Sequence, residues 1–194
     1  MEKNNSQHIN ISGGRVLLSS PLLKDPNFKR SVVLILQKDD SDGHIGLVIN
    51  HPLDLTLEDI CHMPGEAHDM KVYSGGPVDL QRVFWLHTLG ELLPGSIEIM
   101  PGLYVGGDYE TLINAFAAGK HLDGKIRFYL GYSGWSAGQL EKEIDAGAWG
   151  VAPQILDPAI LIEKRSDEMW TFIARQLGPD YRHWGMLPAD PSLN

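Results

Sequence analysis

The sequence predicts an α+β fold in which helices pack on a mixed, largely antiparallel sheet. Strand patterns joined by short turns dominate the first half of the chain, and helical patterns dominate the second half. The strand pairs at residues 31–50 and 96–105 are linked too tightly to be parallel, because a parallel pair needs a long crossover connection. No regular alternation of strand and helix runs along the chain, which argues against a doubly wound sheet.

Apolar runs bounded by turn residues predict the strands of the first half. These strands lie at residues 15–18, 31–37, 45–49, 71–73 and 83–86. The second strand is a continuous apolar run, which is typical of a strand buried on both faces. Pro21 ends the first strand, and a turn at residues 39–43 joins the strands at 31–37 and 45–49 into a hairpin. The turn Gly75-Gly76-Pro77 separates the strands at 71–73 and 83–86. Thr56 begins a short helix, with Asp59 three residues later as its capping partner.

The second half begins with a hairpin at residues 96–105 and continues with helices. Asp108 caps a helix whose apolar residues recur at helical spacing and which Gly119 ends. A strand at residues 126–130 and helices at residues 136–145 and 166–177 complete the pattern.

The composition fits one globular domain in a reducing compartment. The chain has 194 residues, of which 43% are hydrophobic, and this is enough for a substantial core. We expect a disordered leader at residues 1–10, a single α+β domain at residues 11–187 and an irregular tail at residues 188–194. No run of about 18 apolar residues is present, so no membrane span is expected. The single cysteine, Cys61, excludes an internal disulfide, and we therefore expect a cytoplasmic location.

The charge distribution argues against direct binding of nucleic acid. The net charge is −9, and the 16 Lys and Arg residues are scattered along the chain, whereas phosphate backbones are bound by clustered cations. The turn Gly75-Gly76-Pro77 lacks the ending of a phosphate loop, and no cofactor is expected. The partner is therefore unknown, with a protein or a small-molecule ligand as the candidates.

The segment at residues 131–144 is the most informative part of the sequence. Ser136 and Gln139 have capping-box spacing, so that the hydroxyl should meet the backbone N–H of Gln139 while the amide reaches back. The glycines permit a sharp bend and leave backbone N–H groups open toward a ligand, which would be an anion or a carboxylate. The alternative, a tight strand-to-helix connection that buries Trp135, is the favoured interpretation.

Two chemical alternatives remain open. Residues 134–138 match the G-x-S-x-G pattern of a nucleophile elbow, with Ser136 as nucleophile and His183 as base, but Ser136 lies well beyond the predicted strand. A metal site could form near residues 61–68, where the metal-binding side chains are Cys61, His62, Glu66 and His68. Zinc ligands usually come from two separate segments, and no second segment is apparent. We therefore predict neither catalytic nor metal-binding residues.

Polar residues at strand ends and turns form the candidate ligand-binding surface. The candidate residues are Arg30, Asn50, Gly75, Gly76, His87, Gly134, Trp135 and Gln139. A His or Asn at a strand end more often caps local backbone, which is the plainer interpretation. Separations beyond about 15 Å would exclude a common site, because they are far beyond hydrogen-bond range.

An ordered set of sequence pieces resembles a known family. The pieces are Asp25-Pro26-Asn27-Phe28-Lys29-Arg30-Ser31, Gly46-Leu47-Val48-Ile49-Asn50, Tyr73-Ser74-Gly75-Gly76-Pro77, Leu86-His87 and the segment 131–144, followed by Trp149. Together they resemble the AlgH/YqgE-like family of small bacterial proteins. The resemblance covers almost the whole chain, and its specificity lies in the order of the pieces rather than in any one of them.

The resemblance implies a bacterial cytosolic α+β protein whose bifurcated sheet folds into a partial barrel. It implies no catalytic set, and the family's name as a transcriptional regulator rests on genetics rather than on a DNA-binding motif. Ser136-Ala137 stands where the family often has Gly-Pro, so a serine nucleophile would not be a family trait. Our leading hypothesis is a non-enzymatic binding or regulatory module, and the alternatives are a hydrolase and a regulator that acts directly on DNA.

Overall fold

A ten-stranded sheet organises the fold in the computed structural model, which describes residues 12–38, 43–153 and 157–187. The strands are β1 Val16–Ser19, β2 Val32–Lys38, β3 His44–Val48, β4 Pro52–Thr56, β5 Lys71–Ser74, β6 Val78–His87, β7 Ser96–Met100, β8 Leu103–Gly106, β9 Ile126–Trp135 and β10 Trp149–Val151. The predicted leader and tail, and most of the predicted turn at residues 39–43, lie outside the described residues.

Strand β9 is the point at which the sheet divides. Along the main path the strand order is β10-β1-β2-β3-β9-β6-β8-β7, and β4 and β5 are attached beside it. The amino-terminal half of β9 pairs in parallel with β5, and its carboxy-terminal half pairs antiparallel with β3. The other strand pairs are antiparallel. The sheet is thus mixed, largely antiparallel and curled into a half-barrel, which confirms the predicted fold class.

Helices cover both faces of the β1–β2–β3 layer. The α-helices within the described residues are α1 Tyr109–Ala117, α2 Gln139–Asp145, α3 Pro158–Glu163 and α4 Ser166–Ala174. Helix α1 does not cover this layer, because it packs in a separate cluster with Val72 of β5 and Phe128 of β9. Val32 and Leu34 of β2 pack in the cluster that contains α4, whereas Val33 and Ile35 pack in the cluster that contains α2. All four side chains are fully buried, because a strand alternates its side chains between two covered faces. The prediction of burial on both faces is confirmed.

Strand β9 extends beyond its predicted end. The strand predicted to end at residue 130 continues to Trp135, which pairs with His44 of β3. Gly131 has a φ of +70°, and a Cβ there would lie 2.7 Å from the carbonyl oxygen of Gly76. The glycine thus permits two backbones to approach closely within a continuing strand, instead of ending it.

No helix among the described residues is long and apolar enough to cross a membrane.

Candidate functional site

A cavity of about 280 Å³ lies between α2, the end of β9 and two loops. It is lined by Leu23, Asp25, Phe28, Pro77, Gly134, Trp135, Gln139, Glu143, Ala148 and Trp149. We call it the α2 cavity. Three of the eight residues predicted from the sequence, Gly134, Trp135 and Gln139, therefore lie together on its wall.

The carboxylate of Glu143 organises the α2 cavity. Its Oε2 accepts hydrogen bonds from the indole Nε1–H groups of Trp135, at 2.9 Å, and Trp149, at 2.8 Å. Its Oε1 accepts from the Nε2–H of Gln139 at 2.9 Å, one helical turn earlier on α2. Hydrogen bonds to an ionised acceptor are stronger than those between neutral groups. One carboxylate thus fixes two tryptophans and a glutamine in a single arrangement.

Three aromatic rings form the apolar side of the cavity. Phe28 stacks on Trp135 with ring centroids 6.1 Å apart and planes at 28°. Trp149 stands nearly perpendicular to both rings, at 78° to Phe28 and 79° to Trp135. Edge-to-face and offset-stacked pairs are the favoured geometries of aromatic rings. The two indoles are buried, with 6% and 2% of their surface exposed, and Phe28 is half-buried.

The start of α2 confirms half of the predicted capping box. The Oε1 of Gln139 accepts a hydrogen bond from the backbone N–H of Ser136 at 3.0 Å, as expected. The backbone N–H of Gln139 donates to the carbonyl oxygen of Ser136 at 3.0 Å, in place of the predicted bond to the hydroxyl. Among the residues that the structure describes, the lining includes Asp25 and Glu143 but no Lys or Arg. This charge disfavours the predicted anion site, because an anion would face two carboxylates.

Gly75 and Gly76 are packed against β9 and do not form an open loop. The N–H of Gly75 donates to Leu130 at 2.7 Å, and its carbonyl oxygen accepts from the N–H of Val48 at 2.8 Å. A Cβ on Gly75 would lie 2.2 Å from the carbonyl oxygen of Gly131. The two glycines therefore allow close backbone contact, and they place the next residue, Pro77, in the wall of the α2 cavity.

Arg30 and Asn50 are brought together by a local hydrogen-bond pair. The Nδ2–H of Asn50 donates to the carbonyl oxygen of Arg30 at 2.9 Å, and its Oδ1 accepts from the N–H of Val32 at 2.7 Å. Arg30 has a φ of +49°, and its guanidinium lies 4.3 Å from the ring centroid of Trp170. Partial burial lowers the pKa of Arg30. Asn50 thus caps the backbone of an unusual turn, which begins two residues after Phe28 of the α2 cavity.

His87 lies far from the rest of the predicted surface. It pairs with Ile126 at the amino-terminal end of β9, whereas Trp135 ends the same strand. Nine residues at about 3.3 Å each separate these ends by about 30 Å. The Nε2–H of His87 donates to the carbonyl oxygen of Gly106 at 3.0 Å, and burial lowers the pKa of this imidazole. His87 therefore cannot share a ligand with Trp135.

The structure separates the two members of the predicted serine–histidine pair. Ser136 precedes α2, which packs with Trp135 on one face of the sheet. His183 precedes Trp184, which packs with α4 on the opposite face. The sheet itself lies between these positions, so His183 cannot take a proton from Ser136.

A different serine–histidine contact, which the sequence analysis did not identify, occurs near Asn50. The Oγ of Ser31 lies 3.3 Å from the Nε2 of His51. Ser31 is fully buried, and its backbone N–H donates to the Oγ of Ser19 at 2.7 Å. Burial also lowers the pKa of His51. Because no solvent reaches the hydroxyl, this pair has a structural position and not that of an accessible nucleophile and base.

The side chains of the metal alternative point to separate partners. The Nδ1 of His62 lies 2.8 Å from the Oε1 of Glu58, and Glu66 binds the Nδ1 of His121 at 2.8 Å. The Nδ1 of His68 bonds to the carbonyl oxygen of Gly65. Across the part of the chain that the structure describes, no group of three His, Cys, Asp or Glu side chains is placed to hold a metal ion.

A second cavity, of about 510 Å³, lies beside the amino-terminal end of β9. Arg127 lies there with its guanidinium 4.8 Å from the ring centroid of Tyr73, and its Nη2–H donates to the carbonyl oxygen of Lys164 at 2.7 Å. The cavity is lined by charged residues of both signs, including Lys71 and Glu163. It contains none of the eight predicted residues, because its side chains come from segments that sequence patterns do not connect.

Comparison with known proteins gives consistent results. A family model described as AlgH-like matches residues 16–182. A UPF0301 protein of Bacteroides fragilis is 38% identical over 189 residues, covering 97% of this chain and 94% of the relative. A UPF0301 protein of Chlorobaculum tepidum is 36% identical over 184 residues, covering 95% of this chain and 96% of the relative.

Two solved structures are also similar to this chain. The solution structure of the AlgH protein from Pseudomonas aeruginosa has 31% identity and a TM-score of 0.68, with 92% of this chain and 94% of that chain covered. A crystal structure of a protein from Corynebacterium diphtheriae has 21% identity and a TM-score of 0.69, with 96% and 95% covered. The second likeness supports the fold alone.

Proposed function

The chain belongs to the AlgH-like family, and we propose that it is a non-enzymatic binding or regulatory module whose ligand occupies the α2 cavity. The observation that supports this proposal is the arrangement around Glu143. A single carboxylate holds two tryptophan rings and Gln139 in fixed positions on the wall of an open cavity. Such pre-organisation lowers the entropy lost when a ligand binds.

The size and lining of the α2 cavity suit a small ligand. Its volume of about 280 Å³ is close to the lower end of the range of known ligand sites. Those sites are mainly apolar with a few well-placed polar groups, and here Phe28, Leu23 and Pro77 are joined by Gln139 and Glu143. The position of His183 on the opposite face of the sheet from Ser136 supports binding rather than the predicted serine–histidine catalysis.

We also propose that residues 11–187 form one domain and that the protein works in the cytoplasm. The family match from residue 16 to residue 182 supports the first statement. The single cysteine, Cys61, supports the second, because it leaves no disulfide to form within the chain.

A thermal-shift screen against a broad metabolite library tests the proposed site, because a ligand that binds the native state raises Tm in proportion to its occupancy. Gln139→Ala removes an amide from the cavity wall, and Gln176→Ala removes an exposed amide that follows α4. A ligand of the α2 cavity should raise the Tm of wild type and of Gln176→Ala by the same amount. It should raise the Tm of Gln139→Ala by a smaller amount. If every stabilising compound shifts all three proteins equally, the ligand site lies elsewhere and the proposal is wrong.

The hydrolase and DNA-binding alternatives make different predictions. A hydrolase would react with a fluorophosphonate probe at Ser136, so that Ser136→Ala abolishes the labelling; we expect no labelling in either protein. A regulator that binds DNA directly would show salt-dependent affinity for random duplex. With a net charge of −9, we expect no mobility shift at low salt.

A further inference from the structure

We propose that the α2 cavity selects an organic cation, either a protonated amine or a quaternary ammonium ion. This inference rests on the proposed function, since it names the ligand class of the same cavity. Its basis is the combination of two carboxylates with aromatic and apolar walls in one concave site.

The charges that face the cavity have one sign. Asp25 and Glu143 line it, and the described residues of its lining include no Lys, Arg or His. The hydrogen bonds that Glu143 accepts come from neutral donors, namely two indoles and an amide. Those that Asp25 accepts come from the backbone N–H and the side-chain amide of Asn27, at 2.9 and 3.1 Å. Neutral donors orient these carboxylates without cancelling their charge, so the cavity has a negative potential.

The aromatic and aliphatic walls suit the carbon substituents of such a cation. Phe28 is half-buried, and Leu23 and Pro77 lie beside it in the lining. A cation near an aromatic ring gains from the negative face of the ring, which is the basis of quaternary ammonium recognition. The buried indoles turn their N–H edges to Glu143, so we assign the main ring contact to Phe28.

Other ligand classes fit less well. An anion would meet two carboxylates and no cation, and a neutral ligand would gain only the apolar contacts. A small divalent metal needs several converging oxygen ligands. The oxygens of Glu143 already accept three hydrogen bonds, and Asp25 caps the 3₁₀ helix Pro26–Phe28.

Choline and its neutral isostere 3,3-dimethylbutanol provide the test, because they differ in charge and hardly in shape. Titration of the protein at constant ionic strength would follow the indole N–H resonances of Trp135 and Trp149 by NMR. We expect choline to bind about three- to tenfold more tightly than the isostere, which is the size of an exposed cation–π and charge effect.

Three variants locate the origin of this preference. Asp25→Asn and Glu143→Gln each remove one negative charge from the cavity, and Asn keeps the capping ability of Asp25. Asp145→Asn is the matched control, because it removes one charge from an exposed position on α2 outside the lining. The preference for choline should fall in the first two variants and persist in the control. Should Glu143→Gln fail to fold, as judged by circular dichroism, Asp25→Asn decides alone.

The cation inference would be overturned if wild type bound choline and the isostere with equal affinity. It would also be overturned if Asp25→Asn and Asp145→Asn showed the same preference for choline over the isostere. The absence of any indole shift with choline, methylamine or trimethylammonium would overturn it as well. These results would leave the proposed function standing if the library screen finds a neutral ligand whose effect depends on Gln139. Failure of the proposed function is recognised separately, by a screen in which no effect depends on Gln139.

Discussion

Replacing Gly75 with alanine tests how closely the end of β5 packs on β9. A Cβ at this position would lie 2.2 Å from the carbonyl oxygen of Gly131 and 2.7 Å from the Cδ2 of Leu47. Contacts of this kind are not found below 3.0 Å in real structures, and a backbone carbonyl cannot rotate away as a side chain can. The turn after β5 must therefore move outward by nearly an ångström.

That movement weakens two buried backbone hydrogen bonds. One joins the N–H of Gly75 to Leu130 at 2.7 Å, and the other joins the N–H of Val48 to Gly75 at 2.8 Å. Overpacking costs about 1–3 kcal/mol, and a buried group left without its partner costs about 1–3 kcal/mol more. We expect Gly75→Ala to lower the free energy of unfolding by about 3–5 kcal/mol, a large part of the 5–15 kcal/mol that is typical of a domain.

Guanidinium chloride unfolding followed by circular dichroism measures this loss, with Gly134→Ala as the matched control. A Cβ on Gly134 would have its nearest neighbour, the Cε2 of Tyr132, at an ordinary 3.5 Å. We therefore expect the control to change stability by at most about 1 kcal/mol in either direction. If the free energy of unfolding of Gly75→Ala lies within about 1 kcal/mol of the wild-type value, the close packing of β5 on β9 is not as described.

Three further predictions concern single side chains. Glu143→Gln should lower the free energy of unfolding by about 1–3 kcal/mol and shift both indole N–H resonances, because the indoles lose a charged acceptor; unchanged stability and spectra would contradict this. His87→Gln should flatten the dependence of stability on pH. Burial holds the pKa of His87 below its ordinary value, so in wild type its contribution is complete above about pH 6.5 and is lost below it, where the unfolded chain takes up the proton first. Equal slopes between pH 7 and 5 in the two proteins would refute this. Asp108→Ala should lower the free energy of unfolding by about 1 kcal/mol in the same assay, because Asp108 accepts a hydrogen bond from the N–H of Thr111 at 2.7 Å. An equal loss in Asp108→Asn, which keeps a capping side chain, would show that the cap is not the cause.

The sequence predicts those elements whose pattern is local. The buried strand β2 and the helix α1 are long enough for apolar periodicity to appear, and both are present where it places them. Strand β4 was not predicted, because it is mainly exposed and begins with Pro52. Strand β10 has three residues, too few to show a period, and it exists because β1 supplies its hydrogen-bond partners.

The candidate site was predictable only where its residues are close in sequence. Gly134, Trp135 and Gln139 fall within one segment, and Glu143 follows one helical turn later, so the i, i+4 spacing could have added it. Phe28 was beyond prediction as a wall of the cavity, because it is more than 100 positions away and reaches Trp135 only through the folded sheet. The isolation of His87 was equally hidden, since it depends on the register of β6 on β9.

Some residues hold the backbone around the α2 cavity in place, whereas others line it with side chains that a ligand can contact. Only the second kind can test binding. Gly75 and Gly76 hold the chain so close to β9 that any side chain there disturbs the fold, and they also place Pro77 in the cavity wall. A loss of binding after their mutation would therefore not identify a ligand contact. Gln139 and Asp25 differ, because both side chains are exposed and line the cavity. Asp25→Asn keeps the helix cap, and Gln139→Ala removes one capping hydrogen bond at the start of α2. A ligand-induced rise in Tm that disappears in these variants, measured against the unliganded Tm of each folded variant, is the result that would assign the α2 cavity a role beyond packing.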